Sequence, residues 1–145
     1  MSEQTMPFTF DVLNQVAETN VCISLFMATA FLKERGIPIS EYSAFMRDRL
    51  GPGWEHLRGR GAKVFAVPVA LNLISTGATL VELSGDERRA EVVVEQNIQP
   101  WLDDAGLTRD DFRPMLEFFA LLAEGLGLHC SWSWEGNRES WTFTQ

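Results

Sequence analysis

From Phe10 onward apolar positions recur at three- and four-residue spacing, through Leu13, Val16 and Ala17, which predicts a helix from Phe10 to about Arg35. Thr9 stands where an N-cap belongs, and Asp11 lies in the first turn, where the helix dipole favours an acid. From Val21 to Leu32 the chain is apolar nearly all round. Such a helix is central to the core, or half core and half dimer interface. Gly36 and Pro38 end it. A second helix is predicted from Glu41 to about Leu50, capped by Ser40, with Tyr42, Phe45, Met46 and Arg49 on one face. Gly51-Pro52-Gly53 is expected to stop it. A third reads from Ala62 to Thr76, with Pro68 either starting it or kinking it.

The period then changes. Ala78 to Ser84 and Glu91 to Gln96 are strand-like around a Gly85–Arg88 turn, with Ala90, Val92 and Val94 facing one way and Glu91, Val93 and Glu95 the other. That alternation predicts a sheet with one wet face. Pro100 to Asp104 is a short helical turn or loop, and Thr108 with Asp111 resembles a capping box opening a helix to about Glu124. Gly125 and Gly127 end that helix. The chain closes on two alternating runs around Glu135-Gly136-Asn137. Leu128, Cys130, Trp132 and Trp134 share a face, His129 and Ser131 oppose them, and Trp141 and Phe143 share a face on the second run. The order ααα-ββ-α-ββ, with strands in adjacent pairs, predicts an α+β fold with N-terminal helices packed on a four-stranded antiparallel sheet made of two hairpins.

Length and charge narrow the picture. At 145 residues the chain is expected to form a single domain, with residues 1–8 flexible. The net charge of −8 disfavours nucleic acid as a partner. Residues 1–63 carry seven basic and seven acidic side chains and residues 64–145 carry five and thirteen, so a basic patch is possible only in the first half. The first seven residues lack the basic segment of a signal peptide, and the Val21–Leu32 run is too short to span a bilayer, so it reads as a buried core helix. Cys22 and Cys130 read as buried free thiols, which fits a reducing cytoplasm.

Few residues point to chemistry. Arg58, Gly59, Arg60, Gly61 and Lys63 precede a helix, so Arg58, Arg60 and Lys63 are a candidate anion site, against the alternative of a solvated turn. Neither a phosphate-binding loop nor a dinucleotide fingerprint is present. His56 and His129, with no paired ligand spacing, do not make a zinc site, and no metal or cofactor is expected. His129 and Cys130 are neighbours on a strand and so point to opposite faces. Asp103-Asp104 and Asp110-Asp111 sit where helix starts account for them. No Gly-x-Ser-x-Gly elbow occurs. What stands out is aromatic content: ten phenylalanines and five tryptophans, enough to pack a core or to line an apolar pocket.

The closing hairpin resembles that of the 4-vinyl reductase domains and the related TRAPP vesicle-tethering subunits. Their last hairpin runs Cys, a few residues, Gly-Asp, two residues, Cys, aromatic. Here Cys130, Gly136-Asn137 and Ser140-Trp141-Thr142-Phe143 occupy those places. Cys130 stands two residues farther from the glycine than is usual, and Ser140 replaces the second cysteine, so a paired-thiol metal site is not carried over. The element order from about Phe10 to Phe143 is similar as well. The resemblance implies a homodimeric domain that binds or senses a small apolar or aromatic ligand, in a cavity of several hundred Å³. Its walls are expected to be Cys22, Phe26, Trp132, Trp134, Trp141 and Phe143. Bacterial amino-thiazoline-carboxylate hydrolase-like proteins share a broadly similar order, which keeps open a small-molecule enzyme using Cys22, His56 or Glu82. A protein–protein interaction module, its apolar faces serving as partner surface, is the third reading.

Overall fold

In the computed structural model, residues 8–145 are described, so the expectation for residues 1–8 lies outside them, Phe8 apart. The chain is an α+β fold with its helices on one face of a four-stranded antiparallel sheet of order β1-β2-β4-β3. The helix α1 (Phe10–Glu34) begins as its sequence suggests, with Thr9 Oγ1 accepting the Val12 N–H at 3.3 Å. Its placement does not follow the sequence reading. Only Cys22, Phe26 and Thr29 are buried, a stripe one residue wide. Val12, Val16, Ile23 and Met27, along a flank turned about 100° from that stripe, are about half exposed. The expectation of a buried core helix over Val21–Leu32 is therefore corrected. α1 packs at the edge of the helical layer, against α4 (Gln99–Ala105), α5 (Arg109–Leu116) and α2 (Ile39–Trp54), and the other described residues leave its outer side exposed. Its length and apolarity match those of a bilayer-spanning helix, which does not by itself make it one.

α2 starts before Ser40, which makes no cap, and runs through Gly51-Pro52-Gly53 to Trp54. A proline in the last helical turn forfeits one bond where few remain to lose, so the glycine–proline stretch does not stop the helix. α3 (Ala62–Ile74) likewise continues through Pro68. Its first amides are taken by the turn between β1 (Thr79–Gly85) and β2 (Arg89–Glu95): Ala62 N–H donates to the Glu87 carbonyl at 2.7 Å and Lys63 N–H to the Asp86 carbonyl at 3.1 Å. That approach needs glycine at residue 61, where φ is +95° and a Cβ would stand 2.8 Å from Glu87 Cβ.

The helix expected from Thr108 to Glu124 is divided into α5 and α6 (Phe118–Gly125). The capping box is present, with Asp111 N–H donating to Thr108 Oγ1 at 3.2 Å and Thr108 N–H donating to the Asp111 carboxylate at 2.8 Å. The break falls at Glu117. An unbroken ladder would have Phe118 donate to the carbonyl of Pro114, and buried Ser43 of α2 donates to that carbonyl at 2.6 Å. The segment 100–104 left open as a turn or loop belongs to α4, closed by Gly106 in the left-handed region.

β3 (His129–Glu135) and β4 (Arg138–Thr144) form the closing hairpin, and β4 lies between β3 and β2. Trp141 pairs with Trp132 and with Val92, and Phe143 with Cys130 and Ala90. Alternation therefore carries one apolar face across β2, β4 and β3. On the opposite face Glu95, Ser131, Ser133 and Arg138 are exposed, while Val93 at its middle is buried. α3 packs over β1 and β2, α6 over β3, and α2 covers α5 and α6.

Candidate functional site

The tryptophan face is filled. Trp132 and Trp141 stack at 4.6 Å with planes 6° apart. Phe119 of α6 meets Trp141 edge-on at 5.8 Å, and Phe65 of α3 meets Phe143 at 5.0 Å. Arg109 and Arg113 of α5 lay their guanidinium groups over Trp134 and Trp132 at 4.6 and 5.0 Å. Aromatic pairs at these separations, together with cation–π contacts, are favourable packing arrangements. Trp134, Trp141 and Phe143 are buried, and neither they nor the partly buried Trp132 lines the neighbouring cavity. This part of the aromatic content is core.

The open space lies beside it. An apolar cavity of about 200 Å³ is bounded by Val21, Cys22, Leu25 and Phe26 of α1, by Met46 of α2, and by Leu73 and Thr76 at the end of α3. Phe112, Met115 and Leu116 of α5, Phe118 and Phe119 of α6, and Ile98 complete its apolar wall. Of the residues expected to line a pocket, the structure brings Cys22 and Phe26 to it. Phe26 is held by Phe112 at 4.6 Å and by Trp101 at 6.2 Å.

Two polar features interrupt the wall. At one end Cys22 Sγ–H donates to the Thr76 carbonyl at 3.1 Å, and the Gln96 side-chain amide donates to the same carbonyl. Burial, then the charge of Glu18, pushes the Cys22 thiol above its ordinary range. It is a bound hydrogen donor here rather than a thiolate nucleophile. At the sheet side stands Glu139. Register places it between Val94 and Trp134, on the apolar face, where it is only 6% exposed. Trp141 Nε1–H donates to its Oε2 at 3.2 Å. Burial raises its pKa, an effect the Trp141 bond partly opposes. Glu139, Gln96 and Thr76 escape the sequence reading. For Glu139 the signal was available, since stepping back two residues from Trp141 puts it on the tryptophan face.

The other candidates lie elsewhere. Arg58 is held by Glu55 and donates to the Gly125 carbonyl at 2.7 Å, Lys63 donates to the Leu83 carbonyl at 3.1 Å, and Arg60 is exposed. With the α3 amides already satisfied by the β1–β2 turn, these three side chains do not share an amide cradle for an anion. His56 is exposed, with Nδ1 2.9 Å from the Gly53 carbonyl, and Glu82 lies exposed on β1 beside Ser84, so neither lines the cavity that Cys22 reaches. Cys130 is free and half-buried, its thiol pushed up to about 12 by burial and secondarily by Glu124. Among the described residues no group of three or more His, Cys, Asp or Glu side chains is placed to hold a metal ion. The chain matches no known protein-family model and no curated protein.

Proposed function

We propose that this protein is a small-molecule-binding domain of the 4-vinyl reductase type, which takes an apolar ligand of about single-ring size and works as a homodimer. The observation that carries the reading is the cavity: about 200 Å³, walled by aliphatic and aromatic side chains from five helices, with a few polar groups at its edges. An apolar cavity of about 150 Å³ is enough to bind benzene, so a ring-sized body fits here. The dimer is supported by the uncovered side of α1, where Val12, Val16, Ile23 and Met27 would otherwise stay in water.

Native mass spectrometry of protein purified from its host tests both parts. A mass increment of a few hundred daltons or less per chain, lost on denaturation, is expected on a dimeric ion. A mass-clean protein whose Cys22, Phe26 and Leu73 amide resonances also fail to move on adding toluene would refute the ligand reading.

A further inference from the structure

We propose that the ligand of this cavity is a cationic amine: a ring-sized apolar body bearing a protonated amino group that pairs with Glu139. The inference rests on the ligand-binding reading above and names the chemical class of its ligand. Three observations lead to it.

First, Glu139 is a carboxyl placed on the apolar face of the sheet, more than nine-tenths buried, and it borders the cavity. Its sole hydrogen bond among the described residues is the one from Trp141 to Oε2. Among the described residues no fully buried side-chain oxygen lacks a partner, so the unbonded Oε1 is not sealed in the packing, and Glu139 is a lining residue of the cavity. A carboxylate can accept several donors, and here all but one of its places are free.

Second, among the described residues no basic side chain pairs with it. No Lys, Arg or His lines the cavity. A carboxylate buried without a countercharge is costly, so a cationic group brought by a ligand favours the ionised form and gains a charge-assisted bond to it. The other polar groups at the cavity are already engaged with one another, Cys22 and Gln96 both donating to the Thr76 carbonyl.

Third, the polar depression that adjoins the cavity has the same sign. Beside the cavity, sharing Cys22, Thr76 and Gln96 with it, lies a polar depression of about 360 Å³ whose charged lining side chains are Glu18 and Glu95, the second of them 4.0 Å from Arg138, which does not line it. A depression whose charged lining side chains are both acids raises the local concentration of cations beside the cavity and disfavours anions. An apolar body then fills the aromatic end, while the ammonium group replaces its water with the Glu139 oxygen. That division of labour is how a mostly apolar pocket with one charged group selects its ligand.

The test compares three probes of nearly the same shape: benzylamine, benzyl alcohol and toluene. Calorimetric titration of wild type at pH 7 is expected to give benzylamine at least tenfold tighter than either neutral probe, about 1.4 kcal/mol. In Glu139→Gln the preference is expected to fall below threefold while the toluene affinity changes less than twofold, which also shows that the variant's cavity is intact. In the wild-type complex, nuclear Overhauser contacts should join the benzylamine methylene to the Glu139 side chain and Trp141 Hε1. Equal affinities for the three probes in wild type would overturn the amine proposal and leave the ligand-binding reading standing. Benzylamine seated only at Glu18 and Glu95, or a preference that survives Glu139→Gln, would overturn it too. No binding of any probe to wild type would overturn both.

Discussion

Two phenylalanines on one helix, five residues apart, give the sharpest check on how α1 is seated. Phe26 is 2% exposed and lies between Phe112 and Trp101, while Phe31 is 53% exposed with Arg35 over its ring. Truncating Phe26 to alanine removes the transfer energy of a buried ring, roughly 1.5–3 kcal/mol. It also removes two aromatic pairs worth about 0.5–1.5 kcal/mol each. The wall cannot collapse to compensate, because Phe26 already borders a void of about 200 Å³ that would simply enlarge. The expected loss is therefore about 4 kcal/mol, near the middle of the range for buried Phe→Ala. At about 2–4 °C per kcal/mol for a chain somewhat longer than this, the midpoint should fall by roughly 8–16 °C. Phe31→Ala should cost no more than about 0.5 kcal/mol in the monomer, since its ring is left in water either way. Urea unfolding of wild type and both variants, at two protein concentrations tenfold apart, measures this directly. A Phe26→Ala loss under 1 kcal/mol would refute the seating of α1 described here. A Phe31→Ala loss that grows with protein concentration would show that the outer face of α1 is covered by a second copy.

Other consequences follow from single side chains. Burial raises the Glu139 pKa, so the folded protein holds that proton more tightly than the unfolded chain does. Stability from this group is thus greatest below the ordinary carboxylate range and falls as pH rises through the folded-state value. Glu139→Gln should flatten that slope and be the more stable protein at pH 8, measured by urea midpoints at pH 5 and pH 8; a wild-type advantage at pH 8 would contradict the burial argument. Gly85→Ala puts a Cβ 2.1 Å from the Arg89 carbonyl oxygen at φ +101°, whereas Gly36→Ala meets nothing within 4 Å. The first should break the β1–β2 turn and unfold the protein at 37 °C, and the second should cost about 1–2 kcal/mol; similar thermal shifts for both would show the turn to be looser than its geometry. Both thiols are raised by burial, so neither Cys22 nor Cys130 should react with Ellman's reagent within minutes at pH 8, while both should after denaturation. Finally, if α1 forms the homodimer interface, Val16→Glu with Met27→Glu should yield a monomer by light scattering without loss of secondary structure.

Most of the architecture was legible because local rules and the global fold agree. The Thr108–Asp111 capping box, the two hairpins and the Ala90-Val92-Val94 alternation each state their structure within a few residues. The errors lie where a long-range contact competes with a local signal. Gly51-Pro52-Gly53 is the exception, a stop signal that fails for a local reason, because the proline falls in the last turn of α2. The helix after Thr108 should be unbroken, yet Ser43, seventy-one residues away in sequence from Pro114, takes a carbonyl of its ladder. The candidate site was half legible. Cys22 and Phe26 sit one turn apart on the inner stripe of α1, which places them together. The tryptophans were assigned to the same pocket only because they share a strand face, and strand parity does not say which helix covers that face.

The sequence by itself determined which side chains travel together: the period of each element sorts residues onto faces, and that sorting already held Glu139 among the tryptophans. Only the tertiary structure decided what each face meets. Whether an apolar face becomes core, cavity or open surface depends on how far the opposing helices reach. Here α5 and α6 reach Trp132 and Trp141 and stop short of Glu139. The same helical layer leaves the far side of α1 bare, so an apolar run that reads as core is mostly surface, because a helix at the edge of a layer can bury only the stripe that faces inward.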